Sequence, residues 1–161
     1  MSCTAALALP ARHSMLVHSD LLGDLQVAAE EVIDFPNGLF GFPECRRFVL
    51  LPADREGVYW LQSLEHGTLA FLLVDPFLYF EAFSVELGAA ERQELDVADP
   101  SDAAILAIAT LPRSREEQPT ANLQGPLALN LRTGLGRQLA LENPAYGVRC
   151  PFDLLRRSNE G

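Results

Sequence analysis

Basic residues are scarce in this sequence, and the deficit limits the partners that it can have. The 161 residues include 12 arginines and no lysine against 22 acids, which gives a net charge of −10 at pH 7. A surface of this sign repels phosphate backbones, so direct binding to nucleic acid is not expected. The same charge favours association with a basic protein.

Cysteines and long apolar runs are also few. The three cysteines, Cys3, Cys45 and Cys150, are odd in number, which is typical of free thiols in a reducing compartment rather than of a disulfide framework. No stretch approaches the roughly 18–20 continuous apolar residues that a membrane span needs. The N-terminus lacks the basic start and long apolar middle of a signal peptide. These features predict a cytoplasmic protein without membrane association.

Residues that carry catalysis are poorly represented. His13 and His18 fall in a segment without periodicity, which leaves His66 as the one histidine of the predicted domain, in a histidine–glycine turn. Neither Cys45 nor Cys150 has a local context that would activate a thiol. Phosphate-binding loops, dinucleotide fingerprints and serine-hydrolase motifs are missing from the sequence. We therefore predict a protein that is not an enzyme and uses no cofactor.

Metal-ligand spacings are missing as well. The sequence has no Cys-x-x-Cys or His-x-x-x-His pair, and a zinc site needs three or four converging ligands. Asp96, Asp99 and Asp102 recur at intervals of three but lack the glycine and the terminal glutamate of an EF-hand loop. A solvated acidic bend is the favoured interpretation.

Short apolar runs bounded by turn residues predict a β protein. Apolar residues alternate with polar ones, which is typical of half-buried strands. Residues 103–111 fit either a helix or a strand, and the surrounding pattern favours a strand. The fold class expected is mainly β: a small antiparallel β-barrel-like single domain with one or two short helices. The predicted strands cover residues 22–27, 31–35, 48–51, 58–64, 69–74, 77–85, 103–111, 127–132, 138–142 and 146–152, and the predicted helix covers residues 89–95.

Three segments are predicted along the chain. Residues 1–19 are expected to form a flexible N-terminal extension, residues 20–152 the domain, and residues 153–161 a frayed C-terminal tail. Prolines, glycines and an Asn-Gly pair predict a folded turn over residues 35–43, with its phenylalanines packed beneath.

The acidic segment from Glu81 to Asp102 is the strongest charge feature. It holds seven acids and one arginine, Arg92, and it follows a run of aromatic residues. A solvated face and a docking site for a basic, partly apolar partner are about equally supported. Asn122 precedes a predicted strand, where a turn that satisfies backbone groups is favoured over a contact at a binding surface.

Several blocks of the sequence resemble the FliW family of flagellar assembly factors. Together they cover about residues 20–152 in the family's order. The blocks are Val32-Ile33-Asp34-Phe35-Pro36-Asn37-Gly38-Leu39-Phe40-Gly41-Phe42, Trp60-Leu61-Gln62-Ser63, Leu69-Ala70-Phe71-Leu72-Leu73-Val74-Asp75-Pro76-Phe77, Thr120-Ala121-Asn122-Leu123-Gln124-Gly125-Pro126 with Leu129-Asn130, and Gly136-Arg137-Gln138 with Tyr146-Gly147-Val148-Arg149.

The resemblance implies a regulatory protein that works by binding. FliW proteins bind flagellin in the cytoplasm and also bind CsrA, a small basic RNA-binding regulator that blocks flagellin translation. Release of FliW on flagellin export would then free it to capture CsrA. Gln124-Gly125 departs from the more apolar pair usual in the family, which bears on partner preference.

The matching blocks and the acidic segment supply the candidate partner-binding residues, and a monomer is expected. The alternative is a β-barrel that binds a small ligand or carbohydrate in its interior. That alternative needs polar side chains pointing inward, whereas the positions expected to point inward (Leu127, Leu129, Leu139 and Leu141) are apolar. The candidate residues are Asp75, Phe77, Phe80, Glu91, Glu94, Asn122 and Gln124.

Overall fold

A computed structural model describes residues 14–154 of the chain. Within them the chain forms eleven β-strands, two short α-helices and two turns of 3-10 helix. The strands are β1 Ser14–Ser19, β2 Gly23–Ala28, β3 Val32–Asp34, β4 Arg47–Pro52, β5 Val58–Ser63, β6 Ala70–Val74, β7 Ala104–Thr110, β8 Thr120–Ala121, β9 Leu127–Asn130, β10 Leu135–Gln138 and β11 Cys150–Pro151. The helices are α1 Pro76–Tyr79 and α2 Ala89–Glu94, and the 3-10 turns are Ala29–Glu31 and Pro100–Asp102.

Seven of these strands close into a barrel. Strands β3 to β7 pair antiparallel in succession, β7 also pairs with β9, β9 pairs with β10, and β10 returns to β3. The predicted β-barrel is therefore confirmed. One pairing is parallel. It joins Asp34 of β3 to Leu135 of β10, at the point where the barrel closes.

Alternate residues of the strands fill the barrel interior with apolar side chains. Phe35, Phe48, Leu61, Leu127 and Leu129 belong to one cluster and are each fully buried. This interior placement was predicted for Leu127 and Leu129 and is confirmed.

The inward placement predicted for Leu139 is wrong. Strand β10 ends at Gln138, and Leu139 packs outside the barrel against Leu95, Val97 and Ala128 instead. Ala128 of β9 faces outward because Leu127 and Leu129 face inward. Leu141 also lies against this outer cluster and is only partly buried, so its predicted inward placement is wrong too.

The flexible extension predicted for residues 1–19 is wrong for its last six residues. Ser14–Ser19 forms β1, which pairs with β2 as a hairpin. Val17 and Val27 of the hairpin pack on Val49 of the barrel wall. Residues 1–13 lie outside the described part of the chain, as does the predicted tail from residue 155 onward.

A buried glutamine fixes this hairpin to the barrel. The Ser19 hydroxyl lies 2.6 Å from Gln62 Oε1, and Gln62 Nε2 donates to the carbonyl oxygens of Ser63 and Leu69 at 3.0 and 3.1 Å. Gln62 has no exposed surface. Buried amide groups are stable only when they are hydrogen-bonded, so this network determines where the hairpin sits.

The turn predicted over residues 35–43 is confirmed. Gly38 has a φ of +67°, and a Cβ atom there would come within 2.5 Å of the Pro43 carbonyl oxygen. Leu39 and Phe42 bridge each other across the turn. Phe35 packs into the interior as expected, but Phe40 is 59% exposed and does not pack beneath the turn.

The strand predicted over residues 77–85 is wrong. Asp75 caps α1 by accepting a hydrogen bond from the Phe77 amide at 2.9 Å, and Pro76 occupies the first helical position. Aspartate before proline is a favoured helix start, and it outweighs the β propensity of the aromatic residues that follow.

The strand predicted over residues 138–142 lies earlier, at Leu135–Gln138, whereas two other elements agree with expectation. The ambiguous segment 103–111 forms strand β7, and the predicted helix near residue 90 is α2. The last predicted strand shortens to Cys150–Pro151, which pairs with β8.

Candidate functional site

The barrel interior offers no binding site among the described residues, because large apolar side chains from every wall meet in it. The Phe35 and Phe48 rings stack edge to face with centroids 5.4 Å apart. The Phe35 ring also lies so close to Gly136 that a Cβ atom there would come within 2.6 Å of it. A small barrel packed in this way leaves no internal room for a ligand. The grooves that could bind a partner lie on the outer surface.

The aromatic groove, as we call one of these hollows, lies between residues 79–84 and residues 143–153. It has a volume of about 670 Å³ and is lined by rings of Tyr79, Phe80, Phe83, Tyr146 and Phe152 among others. The Phe80 and Phe152 rings lie 5.6 Å apart, and those of Phe83 and Tyr146 lie 5.0 Å apart. Of these rings, Phe80 and Tyr146 are partly exposed, and partly accessible aromatic rings are typical of protein-binding surfaces.

Hydrogen bonds fix both edges of the aromatic groove. The Tyr146 hydroxyl accepts a bond from the Ser84 amide at 2.8 Å. The Tyr79 hydroxyl donates to the Glu56 carbonyl at 2.8 Å. Segments distant in sequence are thereby held as one wall.

A second groove, the Arg92 groove, is lined in part by Phe77, whose ring contacts Phe83 of the aromatic groove. Its volume is about 510 Å³, and it is lined by Phe77, Val85, Glu86, Leu87, Arg92, Ala103 and Ile105. Phe77 is 50% exposed and stacks edge to face on Phe83 at 5.2 Å. Phe77 therefore forms part of the wall and remains open to a partner.

Phe77 and Phe80 belong to or directly follow a helical turn rather than the predicted strand. The buried aromatic residues of this segment are Tyr79 and Phe83. Phe77 is exposed and Phe80 is intermediate. Asp75, the third candidate in this block, acts as the helix cap described above.

The candidate acids Glu91 and Glu94 lie on α2. Glu94 forms an ion pair with Arg137 of β10. The end of α2 is fixed by Asn130, whose buried Nδ2 donates to the carbonyls of Leu95 and Asp96 at 2.9 and 3.1 Å. The acidic helix is therefore held on the barrel wall by polar contacts at its C-terminal end.

Asn122 organises a turn, as the favoured interpretation predicted. Its Oδ1 accepts hydrogen bonds from the amides of Gln124 and Gly125 at 3.1 and 2.9 Å. Asn122 and the exposed Gln124 line a small hollow together with Phe40 and Val148.

The candidate residues thus divide into separate neighbourhoods. Phe80 lines the aromatic groove and Phe77 the Arg92 groove, whereas Asn122 and Gln124 line the hollow beside Phe40. The intervening Leu123 lines the aromatic groove, which places that hollow next to it.

Sequence reasoning missed several exposed apolar side chains, three of which lie in or near the grooves. Phe40, Leu131 and Val148 are 59%, 54% and 56% exposed. A signal existed for Phe40, because it stands between a leucine and a glycine inside a turn, where one side chain must point outward. The other two lie at a strand end and in a loop, where periodicity carries no information.

Cys45 and His66, the catalytic candidates of the sequence, lie in different surroundings, since Cys45 is buried and His66 is exposed. Burial raises the pKa of the Cys45 thiol, and the Glu44 carboxylate raises it further, so this cysteine is held as an unreactive thiol. His66 lies exposed in its predicted turn. Cys45 and Cys150 are free thiols, as expected. Within residues 14–154, histidine, cysteine and acidic side chains form no cluster that could hold a metal ion.

No helix in the described part of the chain is both long enough and apolar enough to cross a membrane.

Fold and site together define a small closed β-barrel with a filled interior and aromatic grooves on its outer surface. The family model described as FliW protein matches residues 16–152. A flagellar assembly factor FliW of Moorella thermoacetica is 37% identical over 136 residues, which cover 84% of this chain and 86% of that protein. The FliW of Natranaerobius thermophilus is 33% identical over 139 residues, covering 86% and 92% of the two chains.

A solved structure shows the same fold. The crystal structure of the flagellar assembly factor FliW superposes with a TM-score of 0.79 at 29% identity, covering 85% of this chain and 96% of that one. The chain belongs to the FliW family. The resemblance seen in the sequence blocks is therefore confirmed.

Proposed function

We propose that this protein is a flagellar assembly factor that binds flagellin in the cytoplasm and antagonises the translational regulator CsrA. Both activities are protein–protein binding without covalent chemistry. Exchange between the two partners would couple flagellin synthesis to flagellin export. The proposal rests on membership of the FliW family, since relatives covering most of the chain carry the name flagellar assembly factor.

One structural observation supports a binding role above others. The interior is filled, while partly exposed aromatic rings line two grooves on the outer surface. Aromatic side chains contribute a large share of the energy at protein interfaces. A protein partner can use such grooves, whereas a small ligand or carbohydrate inside the barrel would have no space.

Charge supports the CsrA half of the proposal. The net charge is −10, and the segment from Glu81 to Asp102 carries seven acids against one arginine. Opposite charge on a basic partner steers association and fixes orientation. Glu91 and Glu94 on α2 are the acids expected to contribute.

The proposal is tested by mixing purified protein with flagellin and with CsrA from the same organism. We expect each to form a complex on size-exclusion chromatography, and added flagellin to displace CsrA. Calorimetry would give both affinities. Failure of the purified protein to bind either partner at micromolar concentration would contradict the proposal.

The role of charge is tested with a matched pair of variants. Glu91→Lys with Glu94→Lys should weaken CsrA binding, and wild-type affinity should fall as salt rises, because screening reduces attraction between complementary surfaces. The control, Glu116→Lys with Glu117→Lys, makes the same charge change on an exposed loop outside the acidic segment. Equal losses in both variants, or an affinity that ignores salt, would show that α2 has no special part in binding.

A further inference from the structure

Arg92 is an unpaired cation in an apolar groove. Its Nε is buried and has no hydrogen-bond partner among the described residues. None of the ion pairs of residues 14–154 involves Arg92, although acids surround it in sequence. Glu94, two positions along α2, pairs with Arg137 instead. A buried guanidinium N–H without an acceptor is costly, so an acceptor supplied by a partner would be bound favourably.

The surroundings of Arg92 define what that partner can be. Val85, Leu87, Ala103, Ile105 and Phe77 supply an apolar lining for the groove. A highly charged polyanion is disfavoured here, because the protein carries a net charge of −10. The ligand that fits is mostly apolar and brings a single negative charge.

Phe77 also lines a second hollow beside the Arg92 groove. This hollow of about 280 Å³ shares Phe77, Ala103 and Ile105 with the Arg92 groove and ends beside the exposed Leu131. Two adjacent hollows that share Phe77 suit a peptide segment that places an apolar side chain in each.

We propose that the Arg92 groove is a docking site for an apolar peptide segment carrying a carboxylate, which pairs with the Arg92 guanidinium while apolar neighbours pack on Phe77. This assignment rests on the proposed function, under which the segment belongs to flagellin. On this assignment the same short helix, α2, carries two kinds of contact. Glu91 and Glu94 would bind a basic partner, and Arg92 would bind an acidic segment of flagellin.

Glu86 allows a second test of the assignment, because its substitution should change flagellin affinity in the opposite direction to that of Arg92. It lines the same groove and forms no ion pair with Arg92, so its charge opposes an incoming carboxylate. Arg92→Gln should weaken flagellin binding about tenfold, a loss within the range of one charge-assisted contact. Glu86→Gln should strengthen binding a few-fold. Arg113→Gln removes an exposed arginine from a loop and should change nothing.

A double-mutant cycle locates the partner carboxylate. Overlapping peptides that tile flagellin are titrated into the wild-type protein, and each acid of the binding peptide is changed to its amide. One such change should cost about as much as Arg92→Gln, and should cost nothing further in the Arg92→Gln variant, because interacting residues are non-additive. Circular dichroism tests whether each variant is folded. If Arg92→Gln does not fold, the assignment is decided by Glu86→Gln and by the peptides whose acids have been changed to amides.

The outcomes separate the two proposals. If wild-type protein fails to bind flagellin, the proposed function and this assignment both fall. If flagellin binds but Arg92→Gln and Glu86→Gln leave its affinity within twofold of wild type, only the assignment of the groove is overturned. Coupling of one flagellin acid to Arg92 supports both.

Discussion

The inside and the outside of the barrel wall are built differently. Inside, Phe35, Phe48 and Leu61 interlock with no exposed surface, and regular strands hold them. Outside, residues 75–97 and 139–154 cross the wall as short helices and loops that leave aromatic rings such as Phe77 accessible. The aromatic residues of the interior therefore stabilise the fold, whereas accessible ones such as Phe77 are those proposed to bind a partner. The residue types alone do not distinguish the two groups.

The largest expected effect is a loss of stability on removal of an aromatic ring from the barrel interior. Phe48→Ala removes a fully buried ring from the interior, so we expect the free energy of unfolding to fall by roughly 3–5 kcal/mol. Phe40→Ala is the matched control, since the same side chain is 59% exposed there and should change stability by less than about 0.5 kcal/mol. Urea denaturation measures both. Similar losses in the two variants would contradict the distinction.

Next in size is the effect of Phe77, which tests the outer side. Phe77→Ala should lower flagellin affinity by about 2 kcal/mol or more while leaving the melting temperature nearly unchanged. Phe80 is half-buried against Phe152, so Phe80→Ala should reduce the melting temperature more than Phe77→Ala does. Calorimetry and thermal denaturation give the two quantities for each variant. If neither variant loses flagellin affinity without also losing stability, the flagellin interface lies elsewhere.

A smaller effect is expected where the hairpin joins the wall. Gln62→Leu removes the buried partner of the Ser19 hydroxyl and should cost about 1–2 kcal/mol, because a polar group is left without a bond. Hydrogen exchange should accelerate in β1 and β2 before it does in β5. Gln118→Leu, on an exposed loop, serves as the control. Unchanged exchange in the hairpin would mean that its apolar contacts alone hold it.

The smallest effect comes from an exposed pair within the hairpin. A hydrogen bond from His18 to Asp24 raises the pKa of the imidazole above its usual value, with further contributions from the charges of Asp24 and Asp20. Protonated His18 therefore stabilises the fold below the ordinary histidine pKa, and this contribution disappears as pH rises through the raised pKa. The melting-temperature advantage of wild type over His18→Gln should be larger at pH 5.5 than at pH 8. The opposite trend would show that the pair is not formed in solution.

Sequence patterns predicted the inner region better than the outer one. Short apolar runs, period-two alternation and turn residues identified β4 to β6 and β9, because each strand must send every second side chain into the interior. Only the surrounding pattern favoured a strand at β7, and β10 lies earlier than the strand predicted over residues 138–142. The closure of the barrel could not be predicted from such local patterns. It depends on pairings such as Ala104–Leu106 with Leu127–Leu129, between strands whose partners no local pattern specifies.

Outer elements were missed where a local signal was weak or overridden. The β1 strand has one buried apolar residue, Val17, so its alternation is too short to stand out. Aromatic composition suggested a strand after Asp75, but the cap and proline start a helix there. Charge identified the acidic segment, whereas only the folded chain reveals that no acid of the described residues forms an ion pair with Arg92.

The parallel contact between Asp34 and Leu135 has a consequence for synthesis on the ribosome. These residues are about a hundred positions apart, so at roughly 5–20 residues per second several seconds pass between the emergence of β3 and that of β10. During that interval β3 to β6 can pair as an open sheet whose unpaired edges and phenylalanine-bearing inner face are uncovered. A nascent chain that stalls before residue 135 would therefore be the species most prone to aggregate and most dependent on chaperones.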